Sequence, residues 1–264
     1  MTTFILNNMY NLGPIKASGI VGLVSTVALP NNLAVAAFCG SFAGMAKMAV
    51  VPSYFASGVL GLICAGMILL FDSQKWLVGV GGRLGFIAQM ACTTEFLLAS
   101  VLMGTTGGPG VALVGTTPLN YQQLIKQLPR VASLTVFGAL FMKWWKHAFE
   151  GRCAQLSNLV GPASATGLIA GLAFPPAVAG PIFCGSFVAM AAPSKLPTLM
   201  SVIWASILAG AAQQTLAGVL LGGWGGKLGT AALIGVLAYR GVIKIIPREK
   251  LETQMGANNM KVPR

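Results

Sequence analysis

The chain reads as an all-α integral membrane protein of about eight or nine transmembrane helices, in two homologous repeats that each contain proline-broken short helices. Three observations predict this. The 264 residues are 55% hydrophobic and only 8% charged, against roughly 25% charged in a soluble domain, so they could not cover a soluble surface. Residues 54–71, 86–103 and 228–239 carry no charge except Glu95, and most such stretches reach or approach the ~20 residues that cross a bilayer core. Finally, the sequence repeats itself at an offset of about 145 residues. Phe38-Cys39-Gly40-Ser41-Phe42 returns as Phe183-Cys184-Gly185-Ser186-Phe187, and Pro30, Met45 and Pro52 return as Pro175, Met190 and Pro197. After a single-residue deletion, Leu77, Gly79, Gly81, Gly82, Leu84 and Gly85 match Leu221, Gly223, Gly225, Gly226, Leu228 and Gly229.

This recurrence divides the chain into a first repeat over 1–104, an inter-repeat region over 105–157, a second repeat over 158–247 and a basic tail over 248–264. Each repeat holds four apolar segments. The first, 17–29 and 163–174, is too short to span comfortably and ends at Pro30 or at Pro175-Pro176, where proline removes a backbone donor and restricts the residue before it. The second, 33–51 and 177–192, carries the Phe-Cys-Gly-Ser-Phe motif. The third begins just after Pro52 or Pro197, placing proline near a first helical turn. The fourth starts at the glycine cluster and runs through 86–103 or 230–246. The 34 glycines suit close helix contacts in lipid.

Between the repeats, residues 104–118 read as a glycine- and threonine-rich loop, 119–128 as a short interfacial helix, and 131–142 as a separate brief apolar helix. Lys143-Trp144-Trp145-Lys146 then marks a membrane interface. If this helix lies on the surface, the repeats are parallel; if it crosses, they are inverted. Charge favours the parallel arrangement, which leaves only Lys75, Arg83 and Lys227 opposite the termini.

The net charge of +12 is scattered, mostly at segment ends, without the basic stripe and interleaved aromatics of a nucleic-acid surface. It fits positive-inside flanking and anionic headgroups, so the bilayer is the expected partner and nucleic acid is not. Five cysteines, four of them in apolar stretches, argue against a disulfide framework. His147 is the single histidine, and there is no metal-ligand spacing, paired-carboxylate constellation or serine–histidine–acid set. No enzyme activity or metal site is therefore expected, and the single histidine excludes bis-histidyl haem within the chain; the cofactor stays unknown, with chlorophyll or quinone contacts left open. The N-terminus lacks the early basic cluster of a secretory or transit peptide, and a bacterial inner membrane or an organelle membrane is the expected location.

Three features carry candidate chemistry. Gly82-Arg83-Leu84-Gly85 and Gly226-Lys227-Leu228-Gly229 each place glycines and one cation at the start of an apolar helix, where free N–H groups favour an anion. Arg83 and Lys227 thus form a candidate anion pair; the plainer reading is that both snorkel to headgroups. Ser41 and Ser186, with Gly40 and Gly185, follow a helix break and are candidate solute-binding residues at the repeat interface. Against this stands a small-residue packing seam, with each serine bonding its own helix. Glu95 is the one acid inside a strongly apolar segment, and either couples protons or pairs with a buried cation such as Lys47 or Lys195. The expected function is a channel or secondary transporter for a small solute, an anion in one version, at the repeat interface. The alternative is a non-catalytic transmembrane subunit of a larger respiratory or photosynthetic complex, or a homo-oligomer, with dry repeat interfaces and an outward apolar patch.

Overall fold

The computed structural model describes residues 1–102, 121–219 and 223–245, and among these every regular element is a helix. In order they are α1 (Thr2–Asn8), α2 (Pro14–Ala28), α3 (Asn31–Ala43), α4 (Tyr54–Ser73), α5 (Arg83–Leu102), α6 (Tyr121–Phe149), α7 (Ala154–Ser157), α8 (Val160–Ala173), α9 (Pro176–Ala189), α10 (Leu199–Val219) and α11 (Lys227–Ile245). Four of them, α4, α5, α10 and α11, are long and apolar enough to cross a membrane. The loop expected over 104–118 and the tail from 248 lie outside the described residues.

Prolines set the short helices. Leu29 and Phe174, each preceding a proline, are extended (φ −121°, ψ 152° and φ −134°, ψ 153°), and they end α2 and α8. Pro30 and Pro175 then cap α3 and α9. With 15, 13, 14 and 14 residues, these four helices reach only ~20 Å each. They fold back as hairpins: Gly22 of α2 lies under the Phe38 ring of α3, and Gly167 of α8 lies under the Phe183 ring of α9.

The second apolar segment is shorter than expected. Helix α3 stops at Ala43, not near Val51, and α9 stops at Ala189. The backbone beyond each leaves its helix to bond across the molecule. Lys47 N–H donates to the Gly223 carbonyl (2.9 Å), and Ala192 N–H donates to the Gly79 carbonyl (2.8 Å). The prolines after these turns sit just ahead of the next helix, not within its first turn. Ser53 caps α4 by accepting from Ala56 N–H, while Thr198 and Ser201 cap the start of α10 reciprocally.

The inter-repeat region departs most from expectation. The two short helices are one 29-residue helix, α6, that runs through Pro129. Proline removes one backbone bond, but packing along α9 and α10 holds the helix together. Gly138 meets the Ile182 backbone, Gly185 meets Thr135 and Ala139, and Gly210 meets Ala132. Thr135 Oγ1 also contacts the Ser206 carbonyl (2.9 Å). Along this seam, from Gln127 at Gln214 to Thr135 at Ser206, numbers rise on α6 as they fall on α10, so the two are antiparallel.

The centre is built from corresponding elements facing each other. Gly19 and Gly22 of α2 lie on Leu168 and Ser164 of α8, and Lys16 lies on Gly171. Numbers rise on α2 as they fall on α8, so these two helices are antiparallel. Beside them four phenylalanines close together, with ring centroids 4.4 Å apart for Phe38–Phe42 and for Phe183–Phe187, and 4.8 Å for Phe42–Phe187. Helices α5 and α11 cross where Gly85 meets Gly229.

Candidate binding site at the glycine crossing

The glycine runs position this site. Gly82 and Gly226 have φ of +83° and +81°, a left-handed backbone that suits glycine. Each turns the chain directly into α5 or α11 and presses on the other helix: Gly82 on the Gly229 carbonyl, Gly226 on the Gly85 carbonyl. Any side chain at either position would occupy the space of the opposite backbone.

A cavity of about 130 Å³ lies beside this crossing, between the turn that leads into α5 and helices α3 and α9. Gly82, Arg83 and Gly85 from the start of α5 form one wall, and Phe42, Phe187 and Met190 contribute apolar surface. The Arg83 side chain is largely buried (16% exposed), its Nη2 donates to Asp72 Oδ1 at 2.5 Å, and Asp72 itself is exposed (58%). Arg83 Nε is buried without a hydrogen-bond partner among the described residues. A guanidinium beside the first backbone N–H groups of a helix, in an otherwise apolar hollow, has the chemistry to hold a small anion.

The other sequence candidates fall elsewhere. Lys227 opens α11 but is not among the described residues lining this cavity. Ser41 and Ser186 are buried, and each donates its hydroxyl to a carbonyl of its own helix, Phe38 or Phe183, at 2.7 Å. Ser41 also bonds Ser18 on α2 (2.8 Å). Gly185 lies under α6, whereas a side chain at Gly40 would meet no atom of the described residues within 4 Å. Glu95 is buried on α5, about 18 Å along the helix from Arg83, with Oε2 unpartnered and no ion pair to Lys47 or Lys195 among the described residues. The structure therefore joins Arg83 to the glycine run and leaves the serines and Glu95 apart from them.

Two features of the site depend on tertiary packing that no local motif announces. Asp72, at the end of α4, pairs with one nitrogen of Arg83; the one signal in the sequence is an acid and an arginine bracketing a single loop. Phe42 and Phe187, noted only as motif letters, are the rings at the centre. The thiols pair with backbone instead of each other across the halves: Cys39 lies 3.1 Å from the Leu84 carbonyl and Cys184 lies 3.3 Å from that of Leu228. All five cysteines are free, and Cys153, just ahead of α7, is the one that is not buried. No family model, curated protein or solved structure matches the chain.

Proposed function

We propose that this chain is a membrane transporter or channel for a small solute, with small anions the favoured class, built from two inverted repeats. The observation that carries the reading is reciprocity. Gly82 faces Gly229 while Gly226 faces Gly85, Lys47 bonds Gly223 while Ala192 bonds Gly79, and α2 opposes α8 antiparallel. Such exchange is what a pseudo-two-fold axis lying across the helices produces, and transporters of inverted repeats place discontinuous helices and their solute sites on that axis. Helix α6 supports the same topology. It runs antiparallel to α10 at the same depth, so α4, α5 and α6 make three crossings between the two helical hairpins and invert the second. The hairpins, too short for a ~30 Å core, enter the membrane and return.

In this reading Arg83 and the start of α5 hold the anion, Phe42 and Phe187 close the path in this conformation, and Lys227 serves the corresponding position of the other half. The test is flux in proteoliposomes over a panel of small anions and neutral solutes. Wild type should carry an anion, and Arg83→Ala/Lys227→Ala should lose about tenfold or more, the loss of one charge-assisted contact or better. Glu95→Gln leaves that flux intact unless protons are coupled to it. A folded wild type that carries nothing would overturn transport and favour the second reading, an assembly subunit, for which the phenylalanine-packed centre and the exposed apolar face of α4 speak.

A further inference from the structure

One end of the molecule gathers cations into a single hollow. The turn after α4 supplies Lys75, the turn after α9 supplies Lys195, and the last turns of α11 supply Arg240 and Lys244. The hollow encloses about 530 Å³, the size of an ordinary ligand pocket. None of the described residues lining it is acidic. Of the described acids, Asp72 pairs with Arg83, Glu150 with His147, and Glu95 is buried on α5, so none forms an ion pair with these four cations. Two backbone bonds bring the turns together: Ala192 N–H donates to the Gly79 carbonyl, and Lys195 N–H donates to the Ala192 carbonyl at 2.8 Å. Lys75 and Leu77 also sit at φ of +53° and +54°, a left-handed backbone uncommon outside glycine. The duplication does not account for the cluster. The positions that match Lys195, Arg240 and Lys244 in the first half are Val50, Phe96 and Ser100, none of them charged.

We infer that this hollow binds the headgroup of an anionic phospholipid, one that carries at least two negative charges on phosphate. Like charges held this close repel one another. A multivalent anion between them removes the repulsion and adds charge-assisted hydrogen bonds. The depth suits a headgroup. Helix α4, apolar enough to span, ends at Ser73, and the half-exposed Trp76 follows as an interfacial ring does. Below the cations the wall turns apolar: Val78 is 53% exposed, and Leu237, one turn before Arg240 on α11, is 43% exposed. An acyl chain covers these two side chains, whereas a soluble phosphate would leave them to water. That contrast selects a lipid over a free phosphate. The inference does not depend on the transport reading and applies equally to an assembly subunit.

The experiment is native mass spectrometry of the whole protein in detergent, titrated with cardiolipin, phosphatidic acid or phosphatidylcholine. One molecule of either anionic lipid should stay bound, about tenfold more tightly than phosphatidylcholine. Lys195→Ala/Arg240→Ala should weaken that binding about thirtyfold, at roughly fivefold per basic residue. Lys143→Ala/Lys146→Ala removes equal charge from the end of α6 and should change it by less than about twofold. None of these four side chains is buried, so both variants should fold. Equal loss in the two variants would mean diffuse surface charge and would overturn the inference. So would pyrophosphate that binds in lipid-free detergent and is not displaced by cardiolipin, which would make the occupant a soluble phosphate. Glu249→Gln/Glu252→Gln examines the chain's own acidic residues just beyond α11. Lipid binding should be unchanged there, and binding seen only in that variant would make the tail the occupant. Lipid binding lost with solute flux intact overturns this inference alone, and lipid bound without flux overturns transport alone.

Discussion

Alanine at Gly82 or Gly226 is expected to leave little folded protein. Two costs combine at each position. A β-carbon on a left-handed backbone costs about 1 kcal/mol, and overpacking against a rigid neighbour costs a further ~1–3 kcal/mol or more. The neighbour here is the carbonyl of Gly229 or Gly85, which belongs to the opposite helix and cannot rotate away. Against a total stability of about 5–15 kcal/mol, the double replacement should abolish the monodisperse peak in detergent size-exclusion chromatography. Gly151→Ala is the control. Gly151 has the same backbone sign, φ +80°, but no described atom lies within 4 Å of its would-be side chain. It should suffer only the conformational cost and a melting temperature a few degrees lower. If Gly82→Ala melts no lower than Gly151→Ala, the contact between α5 and α11 does not exist as described.

The second large effect separates two residues that sequence alone makes equivalent. Gly185→Ala should destabilise strongly, because its β-carbon would enter the Thr135 carbonyl of α6. Overpacking of this kind costs ~1–3 kcal/mol or more. Gly40→Ala should be neutral or slightly stabilising, since the space is open and alanine favours a helix over glycine by roughly 0.5–1 kcal/mol. Thermal melts of the two single variants decide it. Equal destabilisation would show that something covers Gly40 as closely as α6 covers Gly185. Neutral behaviour in both would show that α6 does not lie on α9.

Much of the architecture was legible because glycine and proline act locally. The breaks at Pro30 and Pro175 and the helix starts at Arg83 and Lys227 follow from backbone restrictions that need no knowledge of neighbours. Helix α6 was not legible, because Pro129 argues locally for a boundary and only the seam on Gly185 and Gly210 overrules it. The end of α3 at Ala43 was hidden for the same reason: Gly44 is weak punctuation, and the turn is fixed by a bond from Lys47 to a carbonyl far along the chain. At the candidate site, the cation and the glycines were readable as a helix start that favours anions. The Asp72 partner and the phenylalanine closure depend on how α3, α5 and α9 come together, which no local spacing encodes. The serines illustrate the converse: hydroxyls three residues after a carbonyl, on short helices, found their partners inside their own turns.

The uneven accessibility of the five thiols turns the wild-type chain into its own orientation probe. Cys39, Cys64, Cys92 and Cys184 are sealed in the interior, whereas Cys153 stands partly open between the two halves. A membrane-impermeant maleimide dye applied to sealed vesicles should therefore report the sidedness of one point, without any engineered cysteine. Labelling from one face only gives the side on which the connector after α6 lies, and under the inverted-repeat proposal that fixes which way every crossing runs. Labelling at more than one site would mean that the interior thiols become reachable as the molecule moves, and would map where it opens.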